Sequence, residues 1–147
     1  MKTVDGICAV IMRGLTGAEE VLLVREQESM QAYGKIAGQE SIVMGLMEEG
    51  ESEEETVRRE VLEETGFSVK EMCFLRCLPI PGATAWIFLV EIDVLLPRHS
   101  GELSWRWINI EELGKISHLR VPTREAVEMG IATHRKITSF KSTSVPP

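Results

Sequence analysis

The feature that most constrains this chain is a short helix whose two ends are both marked in the sequence. Ser52 followed by Glu55 is a capping box, in which each side chain bonds a free backbone N–H at a helix start. Gly66 stands where the residue after a helix adopts a left-handed conformation, which costs glycine little. These signals predict a helix over Glu53–Thr65.

The spacing of residues on this helix places acidic side chains next to its apolar line. At about 100° per residue, Val57 and Val61 lie on one side and point toward a core. Glu60 and Glu64 lie one turn apart, directly beside that line. Two carboxylates held at the edge of a buried face are mutually unfavourable, so a divalent cation would stabilise them.

The net charge of the chain is concentrated in the same region. The 147 residues include 16 basic and 23 acidic ones, a net charge of −7. The segment Glu48–Glu64 holds nine Glu and two Arg, so the rest of the chain balances at 14 against 14. Arg59 is best placed to pair with Glu63, which leaves Glu60 and Glu64 without a basic partner on the helix. Two interpretations stay open, a solvated helix face or a site for a hard cation such as Mg²⁺, which prefers oxygen ligands.

The remaining sequence predicts one domain, a mixed sheet with helices on its faces. Cys73 and Cys77 are expected on the same side of a strand, where they pack as small apolar side chains. We expect the domain over 1–138 and a disordered tail over 139–147. The expected strands lie at Gly6–Met12, Glu20–Val24, Ala85–Leu95 and Leu103–Ile110, with one or two more over Phe67–Leu78 and a break at Pro79 and Pro81. A loop is expected at Gln27–Gln39, a short helix at Glu111–Lys115 capped by Asn109, and a last helix from about Thr123 to about Lys136.

The stretch from Gly45 to Phe67 is GLMEEGESEEETVRREVLEETGF. It resembles the Nudix box, Gly-x5-Glu-x7-Arg-Glu-U-x-Glu-Glu-x-Gly-U, in which U is a bulky apolar residue. Nine constraints at fixed spacing make this a specific motif. The resemblance implies the α/β class, as a Nudix-type α/β/α sandwich with a mixed β-sheet. The matching residues are Gly45, Glu51, Arg59, Glu60, Val61, Glu63, Glu64, Gly66 and Phe67.

The resemblance also implies a role for each residue of the box. Mg²⁺, with Mn²⁺ as a substitute, would be held by Glu60, Glu64, the Gly45 carbonyl and Glu63, which is also a candidate base. Arg59 and Glu51 would orient these carboxylates. The catalytic residues expected in this way are Glu63, Glu64, Arg59 and Glu51.

The reaction implied is hydrolysis of the pyrophosphate in a nucleoside diphosphate joined to another group, such as ADP-ribose or a nucleotide sugar. Pro81, 14 residues after Phe67, resembles the loop proline of that subgroup. Tyr33 and Trp86 could stack on a base, and Arg25 could pair with phosphate. A strand-core Trp or a solvated Arg is the more frequent case for such residues. Glu91 and Glu102 are candidates for an additional ligand or base, although a surface Glu is the commoner outcome.

Other functions stay open beside this one. The same chemistry could act on nucleoside triphosphates, including oxidised ones, or the domain could bind a nucleotide without cleaving it. The sequence contains no clustered basic patch, which disfavours RNA as a substrate or partner. It also contains no apolar run long enough to cross a bilayer. Three cysteines without a pairing pattern and the absence of a signal-peptide layout favour the cytoplasm. By resemblance alone, a homodimer is also an expectation.

Overall fold

A computed structural model describes residues 4–143 of the chain, and side chains through residue 140. In this part, short 3-10 helices lie at Gln31–Tyr33 and Ile110–Lys115, and Asn109 caps the second by accepting a hydrogen bond from the Glu111 N–H at 2.9 Å. The strands are β1 (Val4–Arg13), β2 (Glu20–Arg25), β3 (Glu40–Ser41), β4 (Val43–Leu46), β5 (Val69–Ile80), β6 (Ala83–Ile92) and β7 (Trp105–Asn109), and the α-helices are α1 (Glu53–Thr65) and α2 (Thr123–Thr143).

The strands join one mixed sheet built around β1. The main path runs β3-β2-β1-β6-β5, with β4 paired to β1 and β7 paired to β2. β1 runs parallel to β6 and antiparallel to β2 and β4. Because β4 lies against the first half of β1, the chain enters the acidic helix directly from the centre of the sheet.

Each face of the sheet carries its own apolar cluster under one helix. Val57 and Val61 of α1 pack with Ile7, Ala9 and Ile11 of β1. On the opposite face, α2 contributes Ala126 and Val127 to a second cluster. Helices on both faces of a mixed sheet confirm the predicted α/β/α sandwich.

The predicted ends of α1 are confirmed by their capping contacts. The Ser52 side chain accepts a hydrogen bond from the Glu55 N–H at 3.1 Å, and Gly66 takes a left-handed conformation at φ 82°. The segment 98–103 then satisfies the last carbonyls of α1: the Glu102 N–H donates to the Glu63 carbonyl at 2.7 Å, and the Leu103 N–H donates to the Glu64 carbonyl at 3.1 Å. The connection between β6 and β7 therefore fixes the end of the helix that carries the acidic pair.

Two expectations about the end and the edge of the domain were wrong. Helix α2 continues through Thr143, so residues 139–143 of the expected disordered tail are helical, and 144–147 lie outside the described residues. After Gly130, the sequence contains no Gly or Pro until Pro146, so the helix can propagate. On β5, a register shift between Phe74 and Arg76 puts Cys73 opposite Leu89 and Cys77 opposite Trp86, on different faces of the sheet. A bulge inserts one residue and reverses the alternation that the spacing implied.

Pro79 lies inside β5, where the sequence suggested a break between strands. The strand is at the edge of the sheet, and a proline is tolerated where the N–H would face solvent. As for membranes, none of the described helices combines the length and apolar character needed to cross one.

Candidate functional site

The site begins where β4 and α1 meet, because Gly45 has no side chain there. Gly45 is paired with Ile7 across the sheet. A Cβ atom added at Gly45 would overlap the carboxyl group of Glu60 on α1. The Glu60 carboxylate therefore rests against the backbone of the strand, in space that only glycine leaves open.

Arg59 on α1 holds the loop between β4 and α1 in place through the carboxylate of Glu51. Its Nε and Nη2 atoms donate to the two Glu51 oxygens at 2.6 and 2.9 Å, and Nη2 also donates to the Leu46 carbonyl at 3.1 Å. The bonds from Arg59 lower the pKa of Glu51 to about 2, with help from the Glu48 N–H. Such a bidentate pair fixes both side chains in one geometry, as expected for residues that orient the acidic ones.

Arg59 also reaches the acidic pair itself, which corrects the expectation that Glu60 lacks a basic partner. Its Nη1 atom donates to Glu60 Oε1 at 2.8 Å and to Glu63 Oε2 at 3.3 Å. Helix positions alone place Arg59 beside Glu63 and not beside Glu60. The Arg59 guanidinium is held in place by its two hydrogen bonds to Glu51, and in this position its Nη1 atom lies between the carboxylates of Glu60 and Glu63.

Glu64 is the least satisfied carboxylate of the site. Its Oε2 atom is buried and has no hydrogen-bond partner among the described residues. Burial raises the pKa of Glu64 well above its ordinary value, and the charges of Glu60 and Glu26 raise it further, whereas Lys35 and Arg120 act in the opposite direction. Burial likewise raises the pKa of Glu60 against the lowering effect of Arg59. An ionised pair in this position requires a cation.

The donor set fits a hard divalent cation, although the side chains do not converge as they stand. Within residues 4–143, no three acidic, His or Cys side chains gather around one point. Glu60 is turned toward Arg59, and Glu63 is 44% exposed. The unpartnered oxygen of Glu64 and the Glu60 carboxylate over Gly45 nevertheless supply the oxygen ligands that Mg²⁺ prefers.

Glu26, Lys35 and Arg120 lie near Glu64 and are buried or half-buried, but the sequence did not indicate them. Glu26, only 3% exposed, accepts hydrogen bonds from Ser41 at 2.9 Å and Arg120 at 3.2 Å, and lies 3.5 Å from Lys35 Nζ. Arg120 also donates to the Tyr33 carbonyl at 3.4 Å. Strand alternation offered one signal, because Glu26 follows β2 on the side of Leu22 and Val24, the face that α1 covers. Nothing in the sequence indicated the partners 9 and 94 residues away.

Tyr33 and Pro81, two of the four expected substrate residues, lie together where the loop 27–39 meets the turn between β5 and β6. A Cβ added at Gly34 would lie 3.2 Å from Pro81, and one added at Gly82 would lie 3.1 Å from the ring of Tyr33. The loop therefore packs against the turn between β5 and β6. The loop is also linked to the surroundings of Glu64, because Arg120 donates to the Tyr33 carbonyl and Lys35 lies 3.5 Å from Glu26.

The other two expected substrate residues lie apart from this rim. Arg25 donates to the Gly38 carbonyl at 3.2 Å and lies 3.8 Å from Glu40, so it braces the base of the loop. Trp86 shares a row of the sheet with Ile7 and Gly45, two strand spacings or about 10 Å from Gly45. It is half-buried on the α1 face, where it contacts Phe74 at 5.2 Å between ring centroids.

Of the two additional acidic candidates, Glu102 lies at the acidic helix and Glu91 does not. Glu102 is exposed next to Glu63, which accepts its backbone N–H, and its charge raises the pKa of Glu60. Glu91 lies on β6 opposite Glu71, 3.7 Å from Lys70 Nζ.

Comparisons with known proteins agree with this geometry. The NudC protein of Mannheimia succiniciproducens, an NAD-capped RNA hydrolase, is 34% identical over 104 residues, which cover 69% of this chain and 36% of that protein. The protein of the same name from Vibrio cholerae is 31% identical over 99 residues, 65% of this chain and 37% of its own length. The chain thus spans little more than a third of these curated relatives.

Solved structures share the fold at low sequence identity. The NUDIX domain of Shewanella oneidensis NrtR, in complex with ADP ribose, superposes with a TM-score of 0.74 at 16% identity, covering 91% of this chain and 90% of that one. A MutT structure from work on Aliivibrio salmonicida and Vibrio cholerae gives 0.69 at 19% identity, covering 89% and 99%. The model of the NUDIX domain family matches residues 2–129, and the chain therefore belongs to the NUDIX family.

Proposed function

We propose that this chain is a Mg²⁺-dependent pyrophosphohydrolase acting on a nucleoside diphosphate joined to another group, with release of a nucleoside monophosphate. The observation that carries the proposal is the buried carboxylate of Glu64, which has one oxygen without a hydrogen-bond partner among the described residues and lies near Glu60. Both residues belong to a Nudix box in which every fixed position is matched. A protein that only bound nucleotides would have no need to retain such an unfavourable pair.

The residues of the chain divide the work of this reaction. Glu60 and Glu64, with the Gly45 carbonyl and Glu63, would hold the cation. When bound, Mg²⁺ offsets the charge of the diphosphate and lowers the pKa of a water molecule. Arg59 would orient Glu60 and Glu63, and Glu51 would keep Arg59 in place through two hydrogen bonds. Mn²⁺ has similar ligand preferences and would be a substitute.

Glu102 is our candidate for an additional base or cation ligand. Its backbone is anchored to the Glu63 carbonyl, its side chain is exposed, and its charge raises the pKa of Glu60. An exposed carboxylate of this kind can accept a proton from an attacking water without first losing a buried partner.

We expect Glu102→Gln to lower kcat by about 10²-fold, the lower range for a general base. Steady-state kinetics at saturating Mg²⁺ would measure the effect. The matched control is Glu111→Gln, which removes an equally exposed carboxylate from the helix after β7. Unchanged kcat in Glu102→Gln would exclude Glu102 as the base, whereas an equal loss in both variants would show only an effect of net charge.

The proposed substrates have two nucleoside or sugar ends joined by a diphosphate. NudC relatives named for NAD-capped RNA and a structural neighbour that binds ADP ribose support this class. The rim formed by Tyr33 and Pro81 offers an aromatic ring and a rigid edge for the group beyond the phosphates. Trp86 stays a proposed stacking partner for a base. Arg25 stays a proposed substrate residue that would act through the loop 27–39, whose Gly38 carbonyl it bonds.

A substrate panel would test the proposal directly. We expect Mg²⁺-dependent release of a nucleoside monophosphate from NAD, ADP-ribose or a nucleotide sugar, at higher kcat/KM than from any nucleoside triphosphate. An oxidised deoxynucleoside triphosphate and an NAD-capped RNA complete the panel. Preference for a triphosphate would establish the alternative substrate class, efficient cleavage of capped RNA would overturn the expectation of no nucleic-acid partner, and nucleotide binding without cleavage would indicate a sensor.

Location and assembly are further parts of the proposal. The cysteines Cys8, Cys73 and Cys77 are all free thiols, which suits the reducing cytoplasm. A homodimer stays a prediction from the family resemblance, and light scattering of the purified chain would measure it.

A further inference from the structure

A groove at the opposite end of the sheet is separate from the box. It encloses about 450 Å³ between the last turns of α2, the end of β1, the start of β5 and the end of β6. None of the residues that line it belongs to the segment Gly45–Phe67. Its volume is in the range of sites for small organic molecules, which usually exist before the ligand arrives.

The groove is preformed because α2 is attached to the sheet at several points. Gly130 brings the helix so close to β1 that an added Cβ would lie 2.7 Å from the Val10 side chain. Arg135 donates to the buried carboxylate of Glu19 at 2.6 Å. His134 Nε2 bonds the Gly14 carbonyl at 2.7 Å. These contacts fix the helix above β1, while the adjacent part of β6 and β5 stays open.

The inner surface of the groove is apolar and its rim is acidic. Met12, Leu89, Trp107 and Ile137 form much of the inner surface. On the open side, Glu71 and Glu91 stand directly opposite each other on β5 and β6. Like charges in directly opposed positions of a sheet are unfavourable.

The two carboxylates of the rim share one nearby basic group, the Lys70 ammonium, which forms an ion pair with Glu91. Lys70 Nζ lies 3.7 Å from Glu91, beyond hydrogen-bond distance. In the described part of the chain, the Glu71 side chain makes no hydrogen bond or ion pair. The basic groups across the groove are already occupied, because Arg13 pairs with Glu20 at 2.9 Å and stacks on Trp107 at 3.9 Å.

We propose that this groove binds a small organic cation, with an apolar body against Met12, Leu89 and Ile137 and an ammonium or guanidinium group between Glu71 and Glu91. Because Lys70 pairs with Glu91 and Arg13 with Glu20, the unpaired charge at the groove is the negative charge of Glu71, which attracts a cation and repels an anion. The body of the ligand gains from burial in an apolar, partly enclosed space. This site is independent of the proposed hydrolysis and does not use the box carboxylates.

Three probes of one length and different charge test the proposal. Octylamine, octanol and octanoate would be titrated into the full chain in saturating Mg²⁺, with amide NMR shifts to locate binding and calorimetry to measure affinity. We expect octylamine to shift the amides of Met12, Cys73, Val90 and Thr138, and to bind about tenfold more tightly than octanol. Octanoate should bind more weakly than either.

The charge assignment is tested by a matched pair of double variants. Glu71→Gln with Glu91→Gln should reduce octylamine affinity to that of octanol and leave octanol binding unchanged. Glu28→Gln with Glu111→Gln removes the same net charge from exposed positions outside the groove and should keep the octylamine preference. Equal affinity for all three probes, shifts confined to the acidic helix, no binding, or a preference that survives in the Glu71 and Glu91 variant would each overturn the proposal.

Discussion

Replacing Glu64 by Gln is expected to lower kcat by about 10³-fold or more while the fold is retained. The change keeps the size of the side chain but removes the charge that would balance the cation. Loss of several kcal/mol of charge stabilisation in the transition state corresponds to a rate decrease of this order. Steady-state kinetics over a Mg²⁺ titration would measure it, with circular dichroism to verify the fold. Wild-type turnover in the variant would remove the proposed mechanism.

The same substitution should stabilise the protein when a chelator removes divalent cations. Folding raises the pKa of Glu64 through burial, so this group favours the folded state at low pH. That contribution is present below the ordinary value of 4.5 and is lost as the pH rises through the raised pKa. In chelator at pH 7, Glu64→Gln should therefore have a higher Tm than the wild type.

Thermal unfolding across pH gives this prediction a control. In chelator, the difference in Tm between the variant and the wild type should shrink as the pH falls and vanish below 4.5, where Glu64 is neutral in both the folded and the unfolded wild type. Mg²⁺ should raise the Tm of the wild type more than that of the variant. A variant less stable than the wild type at pH 7 in chelator would contradict the burial of an unpaired charge.

Gly45→Ala should lower kcat/KM by about 10²-fold through the position of Glu60, the upper range for residues that orient metal ligands. The backbone of Gly45 is outside the left-handed region, so alanine fits the strand itself. Its methyl group would overlap the Glu60 carboxyl, which must rotate away from its place over β4. We expect a higher Mg²⁺ concentration for half-maximal activity and a nearly unchanged Tm.

A double-mutant cycle separates this cause from general damage to the strand. Once Glu60→Ala has removed the side chain that the methyl group displaces, adding Gly45→Ala should cost little more. Gly114→Ala is the control, because it has ordinary backbone geometry and its nearest neighbour is the Arg124 side chain at 3.8 Å. Full additivity of the two losses would show that Gly45 acts independently of Glu60.

The sequence predicted those parts of the protein that depend on local signals. The capping box at Ser52 and the glycine at 66 act within four residues, so both ends of α1 agree with the structure. Box residues such as Glu51 and Arg59 were placed by motif spacing, and their hydrogen bonds follow from one helix and its preceding loop.

The parts that were missed depend on contacts between distant segments. Glu26 and Arg120 are far apart in sequence and meet because β3 pairs with β2 on one side and with Leu119 on the other. Arg59 reaches Glu60 only because Glu51 sets its direction, which a helical wheel does not contain. The bulge at Phe74 and Arg76 shifts one residue without any glycine or proline to mark it.

The hydrogen bonds between the segment 98–103 and the end of α1 divide the connection after β6 into two parts with different tolerance to change. The Arg98 side chain and the backbone N–H groups of His99, Glu102 and Leu103 donate to carbonyls at the end of α1, so an insertion there would displace the acidic residues. Val94, Leu95 and Leu96 just before it are 72, 88 and 52% exposed. Natural variation and laboratory grafting can therefore lengthen or replace 94–96 and add new contacts beside the domain while the cation-binding helix keeps its register.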